Sequence, residues 1–149
     1  MATLNPFDPT TILFAKHAQH VVLIHFPIGL FTTGVAFDIA AEWRKLRSLA
    51  EVAYYNLLVA SVFTVPVIVT GILAWQFALE GQKLKGILLT HLLLGVLSSI
   101  LIWVSWWMHF RPRRAGRMLS RYRLPVEIAG VLLLSLTGHL GGFLSGVNS

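Results

Sequence analysis

The chain reads as an all-α integral membrane protein, a four-helix bundle of up-down topology, on three observations. Apolar residues make up 56% of its 149 positions and charged ones 12%, a balance that the surface of a water-soluble domain does not have. Four stretches contain no Asp, Glu, Lys or Arg: Val21 to Phe37, Val52 to Leu79, Gly86 to Phe110 and Ile128 to Ser149. About 20 apolar residues cross a hydrocarbon core, so each stretch is of spanning length. The basic residues also sort by loop. Nine of them (Arg44, Lys45, Arg47, Arg111, Arg113, Arg114, Arg117, Arg121, Arg123) fall in or beside the first and third connections, and only Lys16, Lys83 and Lys85 fall on the other side.

Taken in order, the elements are these. Asp8 followed by Pro9 is an N-cap and first-turn pair, which predicts a short interfacial helix over Thr10 to Gln19. Met1 to Gln19 lacks the basic n-region of a signal peptide. Transmembrane helices are expected at about residues 20–41, 51–79, 86–110 and 124–146, all in one domain over residues 1–149. The second is long enough to tilt. Connections are short, and no internal repeat or low-complexity tract is visible. The absence of cysteine excludes disulfides, thiolate metal sites, iron–sulfur clusters and covalent c-type haem, leaving histidine and carboxylate as the main ligands.

The basic bias orients the chain. By the positive-inside rule both termini and the "EGQKLKG" turn face away from the cytoplasm. Topology and contact with anionic lipid account for "RPRRAGRMLSRYR" without a nucleic-acid partner. Trp43, Tyr54, Tyr55, Trp103, Trp106, Trp107 and Tyr122 fall near the same ends, as an aromatic belt does. His109, beside Arg111, reads as an interfacial residue of the same kind.

Three histidines then arrive at one depth. His25, His91 and His139 each lie about 8 to 10 Å below the outer boundary at 1.5 Å per residue. Ionisable groups inside a membrane are costly and usually face the bundle interior, which makes them functional candidates. Gly29 and Gly95 follow His25 and His91 by four positions, one turn away, and Gly138, Gly141 and Gly142 bracket His139. Bare backbone beside imidazoles suits a planar cofactor, and the expectation is a b-type haem with His25 and His91 as axial ligands from diagonal helices. His139 is a third ring at that level. Copper, zinc or non-haem iron also suit imidazole, and close helix packing with interhelical hydrogen bonds is the reading without a cofactor. Pro27 frees a backbone carbonyl and kinks the helix beneath His25, while Pro66 has the same geometry in the second helix. His20 lies about 140° around the helix from His25, at the boundary with His17, and is a further candidate ligand for an exposed metal or a contact for haem propionates.

At the cytoplasmic end Glu127 sits in the first turn of the fourth helix, where a carboxylate suits the helix dipole. Asp38 sits at the wrong helix end for that, needs a partner such as Arg44 or Lys45, and is a proton-relay candidate.

"HVVLIHFPIGL" resembles the opening motif of a bacterial membrane family catalogued as domain of unknown function 2231. "VTGILAW", the single His91 of the third helix and "TGHLGGFLSG" are similar to the rest of its pattern, and the histidines carried over are His20, His25, His91 and His139, with Asp38 also fitting. Two departures stand out: many members begin the motif with His-Pro where this chain has His20-Val21, and the usual Val-Tyr after the last glycines is missing. The resemblance implies a multi-pass bacterial membrane protein, and with the basic bias the expectation is the inner membrane with both termini periplasmic. Fusion of some members to Rieske-type domains points to electron transfer, by analogy only. The expected function is therefore a haem-binding subunit passing electrons from a quinone or membrane dehydrogenase to an outer acceptor. The alternatives are a non-catalytic subunit packed against a respiratory or photosynthetic complex, and a copper- or other metal-binding membrane protein; whether the chain forms an oligomer and whether it is an enzyme are left open.

Overall fold

The computed structural model describes residues 16–116 and 118–145. Within them lie α1 (Lys16–Arg44), α2 (Arg47–Leu73), α3 (Gly86–Ala115) and α4 (Arg123–Leu144). All four are long and apolar enough to cross a membrane. The shortest, α4, has 22 residues, about 33 Å at 1.5 Å per residue, against a core of about 30 Å. The expected helix over 10–19 lies outside the described residues as far as residue 15, and from Lys16 onward the chain already belongs to α1.

The reversals are tight and each has a local cause. Only Lys45 and Leu46 join α1 to α2, and Lys45 takes φ 56 to turn the chain. After α2 the helix widens into one π-helical turn, Ala74–Ala78. Glu80 and Gly81 then reverse the chain at positive φ, and the Trp75 indole N–H donates to the Gln82 carbonyl at 2.9 Å. Gly116 ends α3 in the left-handed conformation, where glycine carries no Cβ penalty.

Helices pack in a ring, α1 to α2 and α3 to α4 most extensively, with smaller α2–α3 and α1–α4 seams. At mid-height the core is apolar, built from Phe31, Val35, Leu57, Ala60, Ile102 and Leu134. Phe31 is fully buried against Gly130, where an added Cβ would come 2.9 Å from the ring. Many large aliphatic side chains, such as Val62, Val65, Ile72, Leu93 and Leu132, point outward, while hydroxyls of Ser61, Thr64 and Thr137 are buried and turned onto backbone carbonyls. That is the arrangement a lipid solvent favours, because lipid is as apolar as leucine and polar groups must be satisfied inside. Pro27 is buried within an unbroken α1.

Candidate metal centre

Polar side chains of three helices converge at the end of the bundle where the arginine-bearing connections lie. On α1 Asp38 and Glu42 stand one turn apart, on α4 Arg123 and Glu127 do the same, and α3 contributes His109. Residues four apart share a helix face, so each helix brings its pair to one seam. Asp38 and Glu127 have no exposed surface, and His109 and Arg123 keep 2% and 6%. The Arg123 guanidinium donates from Nε to Asp38 Oδ2 at 2.7 Å and from Nη2 to Glu42 Oε2 at 2.7 Å, tying α4 to α1. The His109 Nε2–H donates to Glu127 Oε1 at 2.8 Å and lies 3.8 Å from Asp38 Oδ2.

One donor atom each from Asp38, His109 and Glu127 lie within 4.8 Å of one another, and this is the one such group of three His, Asp or Glu side chains among the described residues. Two oxygens of the group, Asp38 Oδ1 and Glu127 Oε2, are buried with no hydrogen-bond partner among the described residues. So are Ser105 Oγ, one turn below His109 on α3, and the adjacent Trp106 Nε1. Leaving a buried polar atom unsatisfied costs about 1–3 kcal/mol, more for a charged group, so these oxygens ask for a cation or a water. With both carboxylates ionised, Asp38 and Glu127 carry one negative charge more than Arg123 offsets. A proton on His109 or a bound cation supplies the balance.

This corrects two expectations. His109 is not an interfacial anchor, and Glu127 does more than face a helix dipole: both are buried and bonded to each other. Asp38 is buried as an internal group should be, but its partner is Arg123, not Arg44 or Lys45. The missed signal was periodicity on α3, where His91, Ser98, Ser105 and His109 recur on one face.

The histidines of the opposite end are placed as follows. His25 is exposed and donates Nδ1–H to the Val21 carbonyl of its own helix at 2.7 Å. His91 is half-buried and donates Nδ1–H to the Thr137 carbonyl of α4 at 3.0 Å, with its Cε1 3.2 Å from where a Gly141 Cβ would stand. His139 is exposed, edge-on to Phe143. Among the described residues, an added Cβ on Gly29 meets nothing within 4 Å, and one on Gly95 meets only the Thr137 methyl at 3.8 Å. The Gly142 carbonyl accepts from the Ser145 hydroxyl. His25, His91 and His139 are thus not gathered into one set of three donor atoms. His20, by contrast, faces inward, with Nδ1 3.2 Å from Thr70 Oγ1 and its ring against Gly71.

The family described as predicted membrane protein, DUF2231, matches residues 16–147. The chain belongs to that family. The match covers all four helices and so includes Asp38, His109, Arg123 and Glu127 as well as the histidines of the other end. No curated protein and no solved structure matches the chain.

Proposed function

We propose that this membrane protein binds a first-row transition-metal ion through Asp38, His109 and Glu127. The observation that carries the reading is the pair of buried carboxylate oxygens, Asp38 Oδ1 and Glu127 Oε2, that lack partners among the described residues and lie beside an imidazole nitrogen. Two carboxylates and one imidazole suit manganese, iron(II) or zinc better than a soft ion. To ligate, His109 moves its proton from Nε2 to Nδ1, and the bond to Glu127 is replaced by bonds of about 2.0–2.2 Å to the ion. Three protein ligands leave coordination positions open, as in sites that bind or activate a small molecule. Arg123, fixed between Asp38 and Glu42, orients the Asp38 carboxylate as an outer-shell group does. With the positive-inside orientation, the centre belongs to the cytoplasmic leaflet of a bacterial inner membrane.

The test is equilibrium binding of Mn2+, Fe2+ and Zn2+ to the purified full chain, with metal counted by elemental analysis. One ion per chain is expected, with affinity lowered at least about tenfold in Asp38→Asn, His109→Ala and Glu127→Gln. Binding that survives both His109→Ala and Glu127→Gln would place the ion elsewhere and end this reading.

A second reading concerns the other end, electron transfer between a quinone or membrane complex and an outer acceptor through a b-type haem on His25 and His91. What supports it is the tautomer of the two rings. Both give Nδ1–H to a backbone carbonyl, which leaves Nε2 as the ligating nitrogen, the arrangement that metal-bound histidines usually have. Purified protein from haem-replete cells that is colourless would exclude it. In that event the His91–Thr137 bond is a helix-packing contact of a non-catalytic subunit, and a stoichiometric partner should co-purify.

A further inference from the structure

The inner faces of α1 and α3 carry the same pattern. His20, Pro27, Phe31, Gly34 and Asp38 follow one another at intervals of 7, 4, 3 and 4, and so do His91, Ser98, Ile102, Ser105 and His109. A shift of 71 positions lays the first set on the second, and corresponding members share the same degree of burial. A shift of 70 does the same for α2 and α4, laying Ala53, Leu57, Ala60, Thr64 and Gly71 on Arg123, Glu127, Gly130, Leu134 and Gly141. The seams agree, since the two extensive ones lie within α1–α2 and α3–α4 and the two smaller ones between them. The bundle is two copies of one helical hairpin about a pseudo-two-fold axis along its length, the parallel kind of repeat known in membrane folds.

One pair of equivalent residues is seen to meet across that axis. At the arginine-rich end the equivalent pair is Asp38 and His109, 3.8 Å apart across the diagonal. Eighteen residues earlier on each helix, five turns and about 27 Å away, the equivalent pair is His20 and His91. Their settings match. His20 Nδ1 lies 3.2 Å from Thr70 Oγ1, a hydroxyl that also reaches the Pro66 carbonyl at 2.9 Å and the Val67 carbonyl at 3.1 Å; with its proton on either carbonyl, the imidazole is the donor. His91 Nδ1 donates to the Thr137 carbonyl at 3.0 Å. Each ring lays Cε1 against the facing glycine, 3.0 Å from the Cβ position of Gly71 and 3.2 Å from that of Gly141. Both rings are therefore held with the proton on Nδ1 and the lone pair on Nε2. His25 and His139 have no such counterparts, their equivalents being Val96 and Val69.

We propose that His20 and His91 are the paired Nε2 ligands of one transition-metal centre on the pseudo-two-fold axis, at the end of the bundle opposite to Asp38. The centre is either a haem iron or a bare ion, with two neutral imidazoles as its protein ligands. It rests on the second functional reading for the role of His91 and replaces His25 by His20.

The experiment titrates the purified full chain with hemin in one arm and with Cu2+ or Zn2+ in the other. Alanine is placed in turn at positions 20, 25, 91 and 139, and His20→Gln serves as a milder variant; gel filtration checks folding. In the hemin arm the wild type should give a low-spin, two-imidazole spectrum that turns high-spin, with affinity lowered about tenfold or more, in His20→Ala, His20→Gln and His91→Ala. In the ion arm those same variants should lose one equivalent of bound metal, whatever the wild-type total. His25→Ala and His139→Ala should match the wild type in both arms. Loss of binding in His25→Ala with retention in His20→Ala and His20→Gln would overturn the proposal while leaving the His25–His91 reading standing. Hemin and ion binding indifferent to both position 20 and position 91 would overturn the two together.

Discussion

Arg123 is the side chain on which the arginine-rich end depends, because it is the only described cation bonded to Asp38. Removing one partner of a buried pair strands the other charge and typically costs about 3–5 kcal/mol, whereas replacing both with apolar groups is often neutral. Arg123→Ala should therefore lower thermal stability in detergent by about that amount. The double variant Asp38→Leu, Arg123→Met should regain most of it, and equal losses in the single and double variants would show that the ion pair is not what holds α4 to α1. Asp38 was legible in the sequence as a carboxylate in need of a cation, but its partner is 85 residues away. The sequence offers Arg44 and Lys45 close by, and nearness along the chain was a poor guide to nearness across a bundle. His109 and Glu127 were misread for a related reason: their depth places them at an interface, and only their helix face, shared with buried neighbours, turns them inward.

At the scale of elements, lipid-facing helices announce themselves by uncharged length, and α1 to α4 lie over the four stretches that composition marked out. What composition could not give is which small residues sit under neighbours. Gly29 and Gly95 drew notice for following histidines, yet a methyl group on Gly29 would meet no described atom within 4 Å, whereas one on Gly130 would stand 2.9 Å from the Phe31 ring. Phe31 is fully buried and cannot swing aside. Gly130→Ala should therefore destabilise the bundle by about 1–3 kcal/mol as overpacking does. Gly29→Ala should be neutral or stabilise by up to about 1 kcal/mol through helix propensity. Melting temperatures of the two variants check this, and a harmless Gly130→Ala would mean that α1 and α4 can separate at their contact. The hairpin repeat stayed hidden in the sequence because equivalent positions hold unlike residues, Asp38 with His109 and Leu57 with Glu127. Their common feature is burial, which appears only once the helices are placed.

For the whole molecule, the basic residues that set orientation are gathered at one end by direct contacts. Arg113 of α3 reaches Glu51 of α2 at 3.6 Å and lies over the Tyr54 ring, and Arg123 of α4 reaches Asp38 and Glu42 of α1. Burial withdraws Arg123 from the lipid surface, but the count at that end still exceeds the three lysines at the other. The positive-inside rule acts on loop charge near helix ends, so the connections around residues 46 and 115 should lie in the cytoplasm and the C-terminus outside. Alkaline phosphatase fused after residue 46 or 115 should then be inactive, and fused after residue 149 active, with a cytoplasm-dependent fluorescent reporter giving the reverse pattern. An active phosphatase at 115 would invert the molecule, moving the Asp38 centre to the outer leaflet and the His20 and His91 end to the cytoplasm. The two proposed ligand sets would be unchanged, but a metal bound at Asp38 would be drawn from outside the cell and an electron carrier at the histidine end would work from within it.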